Sequence, residues 1–271
     1  MCPSLTRCCH SSDRRDKNNA MTPRNDFKAA LPGLDIAHFN ARLGQFSTGE
    51  ILRWAWETFK PKIVTSSSFQ TQSVPLLHII SRVCPQMPVL FIDTGFHFVE
   101  TLAFRDELRA RYGLNIVVVH PTVSKSQLLA KYGEGLYRRD PDLCCYINKV
   151  EPMQRMLTGM RAWVSGVRRD QTAQRKNLHV LEAQRSGLLK IHPMLNWTQE
   201  EIWEYIERYR LPHHPLYPAG YLSIGCAPCT RPVSAGEDER AGRWAGTGKT
   251  ECGLHTDWAN NTEGQNEQPT E

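Results

Sequence analysis

Five short apolar runs, separated by helical patterns, restrict this chain to an α/β fold. The predicted strands are residues 62–65, 89–93, 115–120, 162–166 and 188–191. Strands that alternate with helices predict a parallel sheet, because parallel neighbours need a crossover connection. We therefore expect a doubly wound, mainly parallel sheet, with ligands bound beyond the carboxyl ends of its strands.

The composition narrows the functional classes. With 271 residues, 40% of them hydrophobic, the chain can bury a sizeable core. Its longest apolar runs, 89–92 and 116–119, are far shorter than the roughly 20 residues that span a bilayer. The net charge of +5 is not gathered into a basic stripe, so we expect neither a nucleic-acid partner nor a membrane partner.

Nine cysteines occur in a chain whose N-terminus lacks the apolar core of a secretory signal. We therefore expect a cytoplasmic protein, in which cysteines serve ligation or catalysis and not disulfides. Residues 1–25 are polar and are predicted to be a disordered extension. Residues 26–235 are predicted to form the ligand-binding α/β domain with a metal site, and residues 236–271 a mobile C-terminal segment that carries a catalytic cysteine.

Glycines in the C-terminal segment predict a hinge at Gly242, Gly246 and Gly248. The run that ends in Gly248-Lys249-Thr250 is not a P-loop, because Arg243 stands where that motif needs glycine.

Three loops at the predicted ligand edge are candidates for binding an anion. Ser66, Ser67 and Ser68 follow the first strand and open a helix, whose N-terminal amides and dipole favour an anion. The next strand ends in Asp93, Thr94 and Gly95, and the fourth strand is followed by Arg168 and Arg169, whose guanidinium groups suit phosphate or sulfate oxygens. In the tail, Arg240, Arg243 and Lys249 could meet the anion when the hinge closes.

Four of the cysteines form two close pairs, Cys144-Cys145 and the CxxC pair Cys226 and Cys229. Cys144 and Cys145 are predicted to lie just before or at the start of a helix that runs to about Leu157. Two adjacent sulfurs surround a single tetrahedral zinc only with strain, whereas a cubane cluster offers separate iron corners. The pattern therefore favours a [4Fe-4S] cluster over zinc.

Cys252 stands apart from these pairs, in a polar, glycine-flanked stretch. Lys249 and His255 are close in sequence, and a nearby cation would favour the thiolate form. Cys252 is the predicted nucleophile.

Taken together, these motifs resemble the assimilatory sulfonucleotide reductases, specifically the iron–sulfur branch that acts on adenosine 5′-phosphosulfate (APS). The resemblance extends over about residues 65–255. The motifs that carry it are Ser66-Ser67-Ser68-Phe69, Asp93-Thr94-Gly95, Cys144-Cys145 with Lys149-Val150-Glu151-Pro152, Gly166-Val167-Arg168-Arg169-Asp170-Gln171, Gly225-Cys226-Ala227-Pro228-Cys229 and Glu251-Cys252-Gly253-Leu254-His255.

The resemblance implies an adenine-nucleotide α-hydrolase-like fold of the PP-loop type, with a [4Fe-4S] cluster on Cys144, Cys145, Cys226 and Cys229 and with Lys149 beside it. It also implies that Cys252 attacks the sulfate sulfur and expels AMP. Thioredoxin or a similar dithiol then releases sulfite from the S-sulfocysteine. The residues that we expect to screen the anionic sulfonate are Arg168, Arg169, Arg240, Arg243 and His255.

Several alternatives stay open. The 3′-phosphorylated nucleotide (PAPS) could be the substrate, alone or beside APS, and a homo-oligomer is compatible with the sequence. A PP-loop RNA-thiolating enzyme would need a Ser-Gly-Gly-x-Asp-Ser loop, which residues 66–73 lack. A redox sensor that uses a cluster or zinc would leave the serine loop without a role. The chain departs from many bacterial members at Ala245-Gly246, where those proteins carry aromatic residues after Gly-Arg-Trp.

Overall fold

A computed structural model describes residues 35–249, 251 and 253–255, except for the side chain of His255. The extension predicted over residues 1–25 lies outside this range, as do Thr250, Cys252 and residues 256–271. Within the described part of the chain, no helix combines the length and apolarity needed to cross a bilayer.

A six-stranded sheet forms the centre of the fold, with the strand order β3-β2-β1-β4-β6-β5. The strands are β1 Ile63–Ser66, β2 Val89–Ile92, β3 Ile116–Val119, β4 Ala162–Val164, β5 Leu181–Ala183 and β6 Leu189–Ile191. All neighbours pair in parallel except β5 and β6. The predicted doubly wound sheet and its five apolar strands are therefore confirmed. The antiparallel strand β5 was not predicted, because its three residues Leu-Glu-Ala contain no apolar run.

Helices connect the strands and begin where the sequence supplies caps. Three of them start with a capping box, at Ser47, Ser124 and Thr198, the last of which was predicted. The helices are α1 Ile36–Leu43, α2 Thr48–Phe59, α3 Val74–Val83, α4 Val99–Tyr112, α5 Lys125–Tyr132, α6 Leu136–Arg139, α7 Pro141–Cys145, α8 Glu151–Leu157 and α9 Gln199–Tyr209.

Both faces of the sheet are buried. On one face, Val64, Leu90 and Trp163 pack with Met153 and Leu157 of α8 in a single apolar cluster. Side chains alternate across a strand, so the residues between them point to the other face. There Ile63, Val89 and Phe91 are also buried. A parallel sheet covered on both sides in this way places its ligand edge at the strand ends.

The edge strand β5 is covered by α1. The side-chain amide of Asn40 donates from Nδ2 to the carbonyl oxygen of Leu181 over 2.9 Å. Its Oδ1 accepts from the main-chain N–H of Leu181 over 2.8 Å. One side chain thus satisfies both main-chain groups of Leu181.

The position of the adjacent cysteines corrects one prediction. We expected Cys144 and Cys145 just before or at the start of a helix that runs to Leu157, but they lie at the C-terminal end of α7. The helix begins earlier because the Asp140 side chain accepts from the N–H of Leu143 and Pro141 occupies the first turn. One turn of π-helix, Tyr146–Val150, then separates α7 from α8.

Candidate active site

A cleft of about 180 Å³ opens where β1 and β4 end side by side. This is the switch point of the sheet, because β2 and β3 lie on one side of β1, and β4, β6 and β5 on the other. Its lining combines the apolar side chains of Leu76, Leu90 and Phe91 with the polar serine loop. A cavity with an apolar wall and a polar rim suits a ligand that has a flat organic part and a charged part.

The predicted serine loop, Ser66 to Ser68, lines this cleft. Trp163 Nε1 of the neighbouring strand donates to Ser66 Oγ over 2.9 Å, and the N–H of Phe69 donates to Ser67 Oγ over 3.1 Å. Since both oxygens accept from the protein, both hydroxyl hydrogens can donate to a ligand. The loop then enters α3, so the helix dipole adds to the attraction for an anion.

The predicted arginine pair lies away from this lining. Arg168 is buried at 3% exposure, and its guanidinium donates to Asp170 Oδ1 over 3.0 Å and to Gln72 Oε1 over 2.7 Å. The backbone is extended here, so successive side chains point in opposite directions, and it is Val167 that lines the cleft. Arg169 donates to Asn196 and to the carbonyl oxygen of Leu178. Anion binding by Arg168 and Arg169 stays a prediction.

Three other arginines line the cleft in their place. Two of them, Arg240 and Arg243, were predicted, and the third is Arg175. Arg243 donates from Nη1 to the carbonyl oxygen of Ile224 over 3.1 Å, and its guanidinium carbon lies 4.5 Å from the ring centre of Trp244. Arg175 lies in the irregular segment after β4. It belongs to no motif, so the sequence does not distinguish it from other single arginines.

The C-terminal segment reaches the same cleft. Glu251 and Leu254 both line it, and Glu251 Oε2 lies 2.8 Å from Arg175 Nη2 and 3.6 Å from Arg240 Nη2. Lys249 pairs with Asp142 of α7. The chain neighbours of the predicted nucleophile are therefore at the ligand site, although Cys252 itself and the side chain of His255 lie outside the described residues.

Asp93, Thr94 and Gly95 form a turn beside the cleft, and one of the three contacts a paired cysteine. Asp93 Oδ1 accepts from the N–H of Gly95 within the turn, over 3.0 Å. The buried Thr94 hydroxyl lies 3.4 Å from Cys226 Sγ. None of these three residues belongs to the cleft lining given by the described part of the chain. Their role in substrate binding stays a prediction.

The four paired cysteines lie near enough for their charges to interact, and none of them forms a disulfide. Burial, and then charge on Cys145, Cys226 and Cys229, raises the pKa of Cys144 to about 12. Burial, and then charge on Cys226, raises the pKa of Cys229 to about 11. Thiols that influence one another's pKa in this way are neighbours on the same side of the fold. Within the described residues, no three His, Cys, Asp or Glu side chains are spaced to hold a single metal ion.

Lys149 is close to both the ligand cleft and the paired cysteines. It lines the cleft, and its positive charge offsets part of the rise that burial causes in the pKa of Cys144 and of Cys229. His97 lines the cleft nearby, with Nε2 2.9 Å from the carbonyl oxygen of Ile92. Burial lowers the pKa of His97, which favours the neutral imidazole. His97 belongs to none of the motifs named above, so no pattern in the sequence identifies it as a site residue.

The strand order and the switch-point cleft define a doubly wound α/β protein with a ligand site beyond its strand ends. Comparison with known proteins gives the family. A model of the phosphoadenosine phosphosulfate reductase domain matches residues 62–232. The chain belongs to this family, as the resemblance predicted.

Relatives with assigned activities agree with this membership. The chain is 43% identical over 224 residues to an adenosine 5′-phosphosulfate reductase of Halalkalibacterium halodurans, covering 82% of this chain and 97% of that protein. It is 45% identical to a phosphoadenosine 5′-phosphosulfate reductase of Gloeobacter violaceus, covering 81% and 93%.

A solved structure of the family has a similar fold. The crystal structure of a phosphoadenylyl-sulfate (PAPS) reductase from Candida auris, in a phosphate complex, matches with a TM-score of 0.62 at 32% identity. The match covers 70% of this chain and 93% of that one.

Proposed function

We propose that this protein is a reductase that converts APS to sulfite and AMP in sulfate assimilation. The observation that carries the proposal is the cleft, where the serine loop at the end of β1 and the arginines of the C-terminal segment line one cavity. Family membership and the APS reductases among the relatives support the same reaction. The reducing cytoplasm is the compartment that we propose for it.

The apolar wall of the cleft would hold the adenine ring, and the serine hydroxyls would donate to the phosphosulfate. The Cys252 thiolate attacks the sulfate sulfur, the bond between sulfur and the bridging phosphate oxygen breaks, and AMP leaves with both electrons of that bond. Arg240 and Arg243 stabilise the negative charge of the sulfonate during the transfer. We keep Arg168, Arg169 and His255 in the same proposed set.

The S-sulfocysteine at Cys252 is resolved by an external dithiol, for which thioredoxin is the proposed source. One thiolate attacks Cys252 Sγ, expels sulfite and forms a mixed disulfide with Cys252. The second thiol then attacks the donor sulfur of that bond, which closes the disulfide of the donor and releases the Cys252 thiolate. The dithiol supplies two electrons, and sulfur passes from the sulfate to the sulfite oxidation state. The dithiol donor must therefore reach the proposed C-terminal segment, residues 236–271, between turnovers.

The four convergent cysteines fit a [4Fe-4S] cluster, and we propose that they hold one. Cys144 and Cys145 are consecutive residues of α7, so their side chains leave the helix about 100° apart and suit separate iron corners. A π-helical turn follows them directly, a feature that is frequent at functional sites. When bound, the cluster supplies electrostatic stabilisation, and the thiols supply the electrons. Lys149 would lie between the cluster and the cleft.

Sulfite production from APS and from PAPS, measured side by side with thioredoxin, tests the proposed reaction. We expect faster release from APS, with a kcat/KM ratio of at least about tenfold. The Gloeobacter violaceus relative makes PAPS the second candidate substrate. A higher kcat/KM for PAPS would replace APS with that candidate, and no sulfite from either nucleotide would refute both.

Replacement of Gly225 by alanine is expected to lower kcat/KM by about 10- to 100-fold with little loss of stability. A Cβ on Gly225 would lie 2.3 Å from Arg243 Nη2, so this flexible guanidinium must leave its place in the cleft. Gly242→Ala is the contrasting variant, because its Cβ would lie 2.2 Å from the main-chain oxygen of Arg231. There the backbone must move, and the thermal midpoint should fall. Unchanged kinetics in Gly225→Ala would argue against Arg243 as a substrate contact.

A further inference from the structure

A buried ion pair attaches the C-terminal segment to the ligand edge of the sheet. Arg175 Nη2 lies 2.8 Å from Glu251 Oε2, and the two side chains are 8% and 10% exposed. The Thr172 hydroxyl donates to the other carboxylate oxygen, Oε1, over 2.9 Å. Both oxygens of Glu251 therefore have a partner in the segment that follows β4.

Lys249 and Leu254 make two further contacts that hold the C-terminal segment, but these contacts constrain its orientation less. Lys249 pairs with Asp142, whose side chain is 84% exposed, and water and salt weaken a pair at such a position. Leu254 packs against the apolar cluster around Leu90 and Trp163, a contact without a preferred orientation. Of these three contacts, the pair between Glu251 and Arg175 sets the direction of the segment.

Arg175 is itself held in place. It donates to Gln171 Oε1, and the same oxygen accepts from the main-chain N–H of Arg168 over 3.1 Å. Its side chain therefore belongs to the loop at the end of β4, not to the mobile part. Arg240 lies farther from the Glu251 carboxylate, at 3.6 Å. The contact of Glu251 with Arg175 is therefore the shorter and stronger of the two.

We propose that Glu251 and Arg175 are positioning residues, whose ion pair seats the C-terminal segment so that Cys252 meets the substrate in the cleft. This inference rests on the proposed function. Removing the carboxylate would leave the Arg175 guanidinium buried without its counter-ion, which destabilises the seated state strongly. The fraction of molecules ready for attack then falls, while the serine loop still binds the nucleotide. A loss in kcat at unchanged KM follows.

The first test is independent of activity. In the full-length protein, trypsin cleavage after Lys249 reports whether the segment is seated, because that side chain is 8% exposed. We expect Glu251→Gln, which keeps the side-chain volume, to be cut about tenfold faster than the wild type. Glu237→Gln is the matched control. It removes an exposed ion pair with Arg231 in the same part of the chain, outside the cleft, and should be cut at the wild-type rate.

The second test is kinetic. Glu251→Gln is expected to lower kcat about tenfold with KM for APS unchanged, and Glu251→Asp to recover part of the loss. Because the two residues act as a pair, adding Arg175→Met to Glu251→Gln should cost less than the two single effects combined.

Wild-type cleavage and kcat in Glu251→Gln would overturn the proposal. So would a lower KM at unchanged kcat, since the carboxylate would then compete with the substrate. If the wild type makes no sulfite but the cleavage rate still responds to Glu251→Gln, the proposed function fails and the seating contact stands.

Discussion

Cys252→Ser is expected to lower sulfite release by a factor on the order of 10⁴ or more, while the visible absorbance of the proposed cluster is unchanged. A serine hydroxyl is not ionised near neutral pH, so the attack on the sulfate sulfur loses its nucleophile. Cys252 is not one of the four convergent thiols, so the iron content should be that of the wild type.

The same mechanism predicts a covalent adduct on Cys252 in the wild-type protein. When APS is added without a reductant, mass spectrometry of its peptides should find one sulfonate group on Cys252. An adduct on another cysteine, or substantial turnover by Cys252→Ser, would exclude the proposed mechanism.

Cys226→Ser is expected to lose both the cluster and the activity. The Cys226 thiol is buried beside the Thr94 hydroxyl, and its loop is tied to the loop after β2 by a hydrogen bond from the N–H of Ala227 to the carbonyl oxygen of Phe96. Loss of the Cys226 thiol is therefore expected to disturb both loops at this edge of the sheet. Iron and acid-labile sulfide content, measured together with sulfite production, should fall to near zero.

Cys84→Ala is the control for this experiment. Cys84 is a free thiol at the end of α3, and burial raises its pKa to about 12, so it is inert near neutral pH. Its removal should leave iron content and activity unchanged. Stoichiometric zinc without iron in the purified wild type would contradict the cluster assignment.

The sequence was sufficient for the central sheet because its signals are local. The apolar runs around Val64, Leu90 and Val118 identify three parallel strands, and the strand-end rule then places the cleft. Spacing alone also grouped four cysteines whose charges influence one another in the structure. These signals depend on residue type and order, which the chain displays directly.

Side-chain direction was not available from the same signals. The sequence singled out Arg168 and Arg169, which both donate to protein groups in the structure, but it did not single out Arg175, which lines the cleft. In an extended backbone, successive side chains point to opposite sides. Which side a given residue faces depends on how the strand enters the turn. Partners distant in sequence, such as Gln72 for Arg168, decide the outcome and leave no local pattern.

The amide of Asn40 has a consequence beyond its two hydrogen bonds. An open sheet edge presents unpaired N–H and C=O groups on which another chain can add a strand, and such growth leads to aggregation. At Leu181 the amide takes the place of that incoming strand, and α1 lies over the edge behind it. The short antiparallel strand β5 thus ends the sheet and protects this edge against self-association through strand addition.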